Sequence, residues 1–575
     1  MLRLPVIVGF GGYNAAGRAS FHQAFRRMVI ESLPADQRQE TLLGLATLMN
    51  IVRYDGGQYR DRNGSLFSAE EVCQEFGHSI LDDTLVRFLE EPASPYTDNF
   101  YEKIAVRSAG QLPGGFVPGD YYRSQCHPKG LQMAVMGASD AVHSLGLPWH
   151  QIMQSVAPDQ VSVYSSSAMA QMDDNGYQGL MQARMNGRKV TAKQLPLGLN
   201  SMPTDFINAY VLGSVGSTGS MTGACASFLY NLRLGIEDIQ SGRARVVLVG
   251  NSEAPLTREI IDGYSAMSAL ATEAGLKKLD GNGRADYRRA CRPFSDNCGF
   301  TLAESAQYFV LMDDALAMAL GMQIHGAVTD VFVNADGNKR SISAPGAGNY
   351  LTLAKSVAAA RSMLGDEAIQ KRSWVQSHGS STPQNRVTES AILDRVASAF
   401  GITEWPVTAI KSYVGHSLAP ASGDQLAATL GSFAQGILPG IKTIDHVASD
   451  VMAERLKISF SDLTAKKDVA FINSKGFGGN NASAVVLSPD VVSAMLGKRY
   501  GKSAMVEYAK RNDTVTEQAS AYHQQALRGE LNPVYRFGED VIDDDGITVT
   551  SSSITLAGFD HPVSLIRDNP YQDMF

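Results

Sequence analysis

The sequence predicts an α/β protein of layered sheets and helices, on three observations. Short, fully apolar runs that read as buried strands recur from Pro5–Phe10 to Ala482–Leu487. Segments with apolar residues at helical spacing lie between several of them. And one stretch, Ser220–Ala254, reads as a complete strand–helix–strand unit. Its SMTGA opening is small and strand-like. From Ala226 the apolar residues Phe228, Leu229, Leu232, Leu234, Ile236 and Ile239 recur at helical spacing and stop at Gly242, and Val246–Val249 is an apolar strand.

The other elements follow in order. Pro5–Phe10 runs into a glycine-rich turn. Residues 20–125 are more polar and irregular, with a helix-like stretch SFHQAFRRMVIESL, and read as an elaboration on a core. A helix is expected near Leu131–Leu145 and a strand at Gln160–Tyr164. Further strands are expected at Gln307–Met312, Ile324–Val333, Trp374–Gln376, Val407–Ile410, Val469–Ile472 and Ala482–Leu487. After Pro489 the pattern becomes charged and helical over Val491–Ala526. It then turns turn-rich, with Asp543, Asp544 and Asp545 before a strand-like ITVTSSSITL.

Composition narrows the function. The chain has 575 residues, too many for one simple domain at roughly 100–200 residues each. Hydrophobic residues make up 44% and charged residues 19%, enough to bury a large core. The net charge of −8 and the lack of a Lys/Arg run argue against nucleic acid as a partner. The N-terminal apolar run is too short for a signal segment, and no eighteen-residue apolar stretch predicts a membrane span. Cys73, Cys126, Cys225, Cys291 and Cys298, odd in number and scattered, fit reduced thiols in a cytoplasmic protein.

Four motifs carry chemistry, and each has a plain structural reading beside it. GACAS puts Cys225 where a strand hands over to a helix, which lowers a thiol pKa and offers backbone N–H groups to an oxyanion; otherwise Cys225 is a buried thiol. QSHGSSTPQNRVTES puts His378 at a strand end with Glu389 eleven residues on; otherwise it is a satisfied loop histidine. AIKSYVGHSLAPASGD brings Lys411 near His416, where a buried lysine tunes the imidazole; otherwise the two are a surface lysine and a structural histidine. FINSKGFGGNNAS surrounds Phe477 with glycines that let N–H groups face a ligand; otherwise it is only a turn.

In this order and at nearly these separations the motifs resemble those of the β-ketoacyl synthases, decarboxylating condensing enzymes of the thiolase superfamily. GACAS, His378-Gly-Ser-Ser-Thr382, Lys411-Ser-Tyr-Val-Gly-His416 and Gly476-Phe-Gly-Gly-Asn-Asn481 carry the likeness, as does CRPFSDNCGFTLAESA. It covers about residues 1–20 and 130–490. LPVIVGFGGYNAAGR and GHSLAPASGD most resemble the long bacterial form that primes fatty-acid synthesis with acetyl-CoA. The resemblance implies a thiolase-like fold, two stacked α/β halves in five α-β-α-β-α layers. The first half spans residues 1–300 with an insertion at about 21–125, the second 301–490, and a C-terminal extension 491–575. It implies that Cys225 carries the acyl group and that His378 and His416 bind the malonyl thioester. It further implies that Lys411 orders the site near Glu389, that the N–H groups of Cys225 and Phe477 form an oxyanion hole, and that the Phe477 ring gates the acyl pocket. Ser380 and Thr382 match positions that bind the pantetheine arm. Implied partners are acyl carrier protein (ACP), acetyl-CoA or acyl-ACP, malonyl-ACP and a second copy of the chain, with SMTGA as the dimer-interface strand. No metal or prosthetic group is implied, since the substrates bring the phosphopantetheine.

The sequence departs from the family pattern in places. Ser380 stands for a Thr, and Arg386 replaces an acidic residue, which alters the charge pattern expected near Glu389. Gly423 falls one residue late after His416, implying a differently shaped loop. Lys475 replaces a Phe before the gate, shortening or polarising the acyl pocket. The pair of histidines matches elongating synthases, so primer length stays open between an initiating and an elongating or polyketide-type enzyme. A non-catalytic heterodimer partner would usually lack the nucleophile that is present here. Gly9, Gly11 and Gly12 mimic part of a dinucleotide turn, but the third glycine and the acidic residue about 20 positions on are missing. No G-x-S-x-G supports a serine hydrolase.

Overall fold

The computed structural model describes residues 2–91, 103–281 and 283–574, so part of the 21–125 insertion lies outside the described residues. Most of the apolar runs are strands of one sheet: β1 (Pro5–Asn14), β2 (Val161–Ser166), β3 (Thr218–Gly219), β4 (Val246–Glu253), β5 (Ser305–Asp313), β6 (Gly326–Ala335), β7 (Ser373–Gln376), β8 (Trp405–Thr408), β9 (Leu456–Ile458), β10 (Val469–Gly476) and β11 (Asn480–Leu487). Their order is β9-β8-β7-β10-β11-β6-β1-β5-β4-β2-β3, with Gly17–Arg18 folded back on β1. Outward from β1 the steps to β5 and β4 are antiparallel and those to β2 and β3 parallel. Outward from β6 the steps to β11 and β10 are again antiparallel, and those to β7 and β8 parallel. The chain thus builds the same half twice. The halves are stitched by two residue pairs, Val6 with Ala327 and Ile7 with Gly326. By this order β5 belongs to the first half, which therefore runs past residue 300 to Asp313.

The principal helices are α1 (Gln23–Met28), α2 (Ala35–Leu48), α3 (Lys129–His143), α4 (Ser227–Ser241), α5 (Gly348–Leu364), α6 (Pro383–Ala399), α7 (Ala421–Gln435) and α8 (Pro489–Leu527). Helix α3 covers β1, β5 and β4, and α5 covers β6, β11 and β10. Helices α4 and α7 touch one another and strands of both halves. They are the middle layer of five, which is why α4 has so wide an apolar surface. The middle layer explains the continuous burial of β1, β4, β5 and β11: each of these strands is covered on both faces.

Gly11 shows how closely the layers approach. A Cβ on it would lie 2.2 Å from the Ala141 backbone nitrogen in α3. The glycine run in β1 is therefore a packing device inside a strand, and this disposes of the dinucleotide-turn reading.

The insertion is less peripheral than its composition suggests. Ala24, Phe25, Met28, Val29 and Leu33 pack with Ile410, Tyr413 and Val414, beneath the loop that carries His416. Helix α2 meets the C-terminal extension, where the Thr47 hydroxyl donates to the Leu527 carbonyl at 2.9 Å. His523 of α8 sits between Arg18 (2.9 Å) and Glu40 (3.0 Å). Helix α8 is interrupted at Gly501, where φ is 82°. The strand-like ITVTSSSITL forms a hairpin of Ile547–Val549 and Ser553–Leu556. SMTGA differs from expectation: the edge strand stops at Gly219, and Ser220–Ala224 turns back toward α4. Among the described residues no helix is long and apolar enough to cross a membrane.

Gly11→Ala is expected to lower unfolding stability by about 3 kcal/mol, since the clash is with backbone that cannot rotate away. Gly497→Ala in α8, where the nearest atom is 4.0 Å from the new Cβ, is expected to raise it by up to about 1 kcal/mol. Urea denaturation of the two variants checks both.

Candidate active site

Cys225 sits on a sharp turn. Ala224 before it has φ of 50°, a left-handed conformation that costs a non-glycine residue about 1–2 kcal/mol. Side chains of α4 hold the turn. Asn231 accepts from the Met221 N–H at 2.9 Å and donates to its carbonyl at 3.0 Å, while the Ser227 hydroxyl accepts from the Gly223 N–H at 2.9 Å. Helix α4 starts at Ser227 with Ala226 as its cap, so Cys225 stands one residue ahead of the cap. Across the turn, Gly476 ends β10 so close to Gly223 that a Cβ would lie 2.1 Å from the Gly223 carbonyl oxygen. This contact brings the Phe477 N–H to the Cys225 sulfur, beside the N–H of Cys225 itself. The Ser474 hydroxyl donates to the Cys225 carbonyl at 3.2 Å. Helix-end placement led to the expectation of a lowered thiol pKa. Burial instead raises it, and the Lys411 charge and the two N–H groups only partly offset that.

His378 follows β7 and is gripped by its backbone. Its N–H and that of Gly379 donate to Glu389 at 2.6 and 2.8 Å, and its carbonyl accepts from the Lys411 ammonium at 2.5 Å. Glu389, with no exposed surface, also accepts from Asn385 and Asn473, both at 2.8 Å. The His378 ring stays uncommitted: its Nδ1 has no partner among the described residues. The His416 ring lies 5.3 Å away at 83°. His416 is tied by its N–H to the Thr301 carbonyl at 2.7 Å, and its Nδ1 accepts from the Leu418 N–H at 3.1 Å. Leu418 adopts φ of 61° to make that bond. A neutral His416 must then carry its proton on Nε2. Burial pushes both histidine pKa values well down, and the Lys411 charge pushes further; His378 also feels His416 and Lys475. Lys411 is itself lowered by burial, against the pull of Glu389 and Cys225.

The structure thus gathers Cys225, His378, His416, Lys411 and Glu389, with the backbone of Phe477. The Phe477 ring is elsewhere: it is 44% exposed and outside the apolar cluster around Cys225, so its N–H and not its ring faces the thiol. Thr382 caps α6, its hydroxyl accepting from the Asn385 N–H at 3.3 Å, and the Ser380 hydroxyl lies 3.4 Å from it. Arg386 turns outward to Asp450, at 2.8 and 2.9 Å, and leaves the Glu389 network untouched. Gly423 lies in the first turn of α7, against Gln307, and shapes no loop.

Sequence reasoning missed several neighbours. Cys225 packs in a cluster with Met169, Tyr264, Phe300 and Leu418, and with Leu89, Ile104, Val106 and Ala109 of the insertion. Glu253, buried at the end of β4, accepts from the Ser167 hydroxyl and the Ala168 N–H, both at 2.7 Å, and burial pushes its pKa up to about 7. An acidic residue closing an apolar strand was the available signal for it.

Known proteins share this architecture. Residues 126–317 match the family described as Beta-ketoacyl synthase, N-terminal domain, and residues 325–445 its C-terminal domain. The β-ketoacyl-[acyl-carrier-protein] synthase FabY of Pseudomonas aeruginosa is 54% identical, with both chains fully covered. The crystal structure of that ketosynthase superposes with a TM-score of 0.97, covering 100% of this chain and 99% of the other. A 3-oxoacyl-[acyl-carrier-protein] synthase 2 of Synechocystis is 23% identical over 75% of this chain and 92% of its own length. The fold is therefore the layered ketosynthase fold, as its motifs implied.

Because both histidines are held below the usual imidazole range, they stay neutral as pH falls through about 6.5. In NMR of the full-length protein the imidazole C2–H shifts of His378 and His416 are expected to stay constant from pH 7.5 to about 6; a half-point near 6.5 on either ring would contradict this. Glu389→Ala leaves the N–H groups of His378 and Gly379 buried without an acceptor. It is expected to cost about 3 kcal/mol of stability by chemical denaturation, with turnover lost as well.

Proposed function

As the chain belongs to the β-ketoacyl synthase family, we propose that it joins an acetyl primer from acetyl-CoA to malonyl-ACP, the opening condensation of fatty-acid synthesis. The observation that carries this reading is one thiol faced by two backbone N–H groups and two neutral imidazoles in a buried site. The Cys225 sulfur attacks the primer thioester; the acyl–sulfur bond to CoA breaks as the bond to Cys225 forms, and the departing thiolate takes up the thiol proton. Malonyl-ACP then binds with its thioester carbonyl toward His378 and His416. Carbon dioxide leaves, and the electron pair stays on the enolate that the two imidazole N–H donors stabilise. The enolate carbon attacks the acyl group on Cys225. The N–H groups of Cys225 and Phe477 receive the oxyanion, each such donor contributing about 3 kcal/mol. Collapse releases 3-ketoacyl-ACP and frees Cys225 as thiolate, which takes up one proton from solvent to restore the resting thiol.

Lys411 and Glu389 act here as positioning residues, through the backbone of His378. Ser380 and Thr382, at the mouth of the loop, offer hydroxyls to the pantetheine arm. No prosthetic group enters the scheme. The bulky side chains packed around Cys225 support a small acyl group. The P. aeruginosa relative, a β-ketoacyl-[acyl-carrier-protein] synthase, supports ACP as carrier. We place the enzyme in the cytoplasm as a homodimer.

Incubation with acetyl-CoA and malonyl-ACP, followed by mass spectrometry, tests this. Acetoacetyl-ACP and an acetyl adduct on the Cys225 peptide are expected, and Cys225→Ala should reduce condensation by at least about 1,000-fold. Activity with longer acyl-ACP but not acetyl-CoA would overturn the initiating role. No 3-ketoacyl product from any acyl donor would overturn the condensing reaction.

A further inference from the structure

Asp424 and Gln425 are neighbours in the first turn of α7, just past the loop that carries His416, and both are buried. Their side chains reach different parts of the fold. Asp424 Oδ1 accepts from Asn14 of β1 at 2.9 Å, and from Ser305 and Gln307 of β5 at 2.8 and 2.9 Å. Its Oδ2 accepts from the Ser417 hydroxyl at 2.6 Å. Gln425 Nε2 donates to the Ser377 carbonyl at 2.6 Å, and to the Gln376 and Asn473 carbonyls at 3.1 and 3.3 Å. One helical turn is therefore bonded to β1 and β5 of the first half, to β7 and β10 of the second, and to the His416 loop.

All four partners of Asp424 are neutral donors. A buried carboxylate is an expensive tie between strands, and burial works against its charge. What a carboxylate adds is direction: it only accepts, so each partner is made to donate. A network satisfied in this way fixes one arrangement.

The contacts end on peptides that also hold the two catalytic rings. The N–H of the peptide between Ser417 and Leu418 donates to His416 Nδ1 at 3.1 Å, and Leu418 takes φ of 61° there. The Ser417 side chain, bonded to Asp424, anchors that peptide from the other side. The peptide between Ser377 and His378 is held at both ends, its carbonyl by Gln425 and its N–H by Glu389 at 2.6 Å.

We propose that Asp424 and Gln425 are positioning residues that set the two imidazoles as a pair, Asp424 through the Ser417–Leu418 peptide and Gln425 through the Ser377–His378 peptide. The inference rests on the condensing reaction proposed above. With the Leu418 N–H on Nδ1, the neutral His416 ring keeps its proton on Nε2, where it donates to the thioester carbonyl. Were the peptide to swing away, Nδ1 would take the proton and the carbonyl would meet a lone pair. The Nε2–H bond strengthens as the carbonyl oxygen becomes an enolate oxygen, so its loss falls on kcat of the second half-reaction rather than on KM. Acetyl loading uses the N–H groups of Cys225 and Phe477 and does not call on Asp424.

Full-length Ser417→Ala, Asp424→Asn and Gln425→Met separate the two arms. In nitrogen NMR of isotope-labelled histidine, the wild-type His416 ring is expected to show the Nε2–H tautomer. Ser417→Ala is expected to shift His416 toward a mixture of tautomers and leave the His378 resonances in place. Gln425→Met is expected to shift His378 and leave His416. Acetyl loading onto Cys225, followed by mass spectrometry, is expected within about twofold of wild type in all three, and reports that the site is folded. In condensation with malonyl-ACP, kcat is expected to fall about tenfold in Ser417→Ala, with KM within about twofold. The Asp424→Asn amide still bonds Ser417 with donor and acceptor exchanged, so its kcat is expected to stay within about threefold. An unchanged His416 tautomer in Ser417→Ala, both rings shifting in both variants, or equal losses in loading and condensation would each overturn the proposal. A wild-type enzyme that loads no acyl group and forms no 3-ketoacyl product would instead sink the function on which the proposal rests.

Discussion

Glu389 receives four hydrogen bonds from three parts of the chain, and the geometry of the site follows from them. Two come from the backbone after β7, one from Asn385 a turn earlier in α6, and one from Asn473 in β10. A buried carboxylate stripped of such donors would be very costly, so these parts hold together or not at all. Lys411 grips the same residue from the opposite side, through the His378 carbonyl. With N–H and carbonyl both fixed, the His378 ring is left free of structural duty and aimed at whatever enters. His416 is fixed differently, through a ring nitrogen, and the left-handed Leu418 is the cost of that bond.

The repeated strand order explains where this happens. Each half sends one helix into the middle layer. The turn before α4 carries Cys225, and the loop before α7 carries His416. Two helix starts from two halves meet because both helices lie in the middle layer, in contact with one another and with strands of both halves. Burial then acts on the thiol, the imidazoles and the ammonium there with the sign the chemistry of each dictates: thiol up, imidazoles and ammonium down. The resting site is biased against charge, and charge is drawn out by the substrate.

Much of this was legible in the sequence because burial on both faces leaves unbroken apolar runs. The strand of Ala482–Leu487 and the helix after Cys225 announce themselves in that way, as does the order of the motifs. What stayed hidden has physical reasons. Ser220–Ala224 is small enough to read as strand, but the turn into α4 needs the same small residues. Phe25 and Val29 look like a polar segment's stray apolar residues until Ile410 and Val414, some 380 positions later, are folded onto them. The outward turn of Arg386 is a rotamer, set by Asp450, on which sequence order is silent. The thiol pKa was misjudged because a helix start is visible in sequence and desolvation is not.

Strand β1 has one more consequence, for the order in which the molecule can assemble. It is buried along its whole length, yet its partners are β5 and β6, with Pro5 opposite Asp313 and Val6 opposite Ala327. Once PVIVGF has left the ribosome, nearly 300 further residues must follow before either neighbour begins to emerge. Loop closure over that distance is slow, and the strand meanwhile presents open backbone on both edges. The seam that unites the two halves is therefore also a long wait, and the nascent protein spends much of its synthesis with its most adhesive segment unpaired.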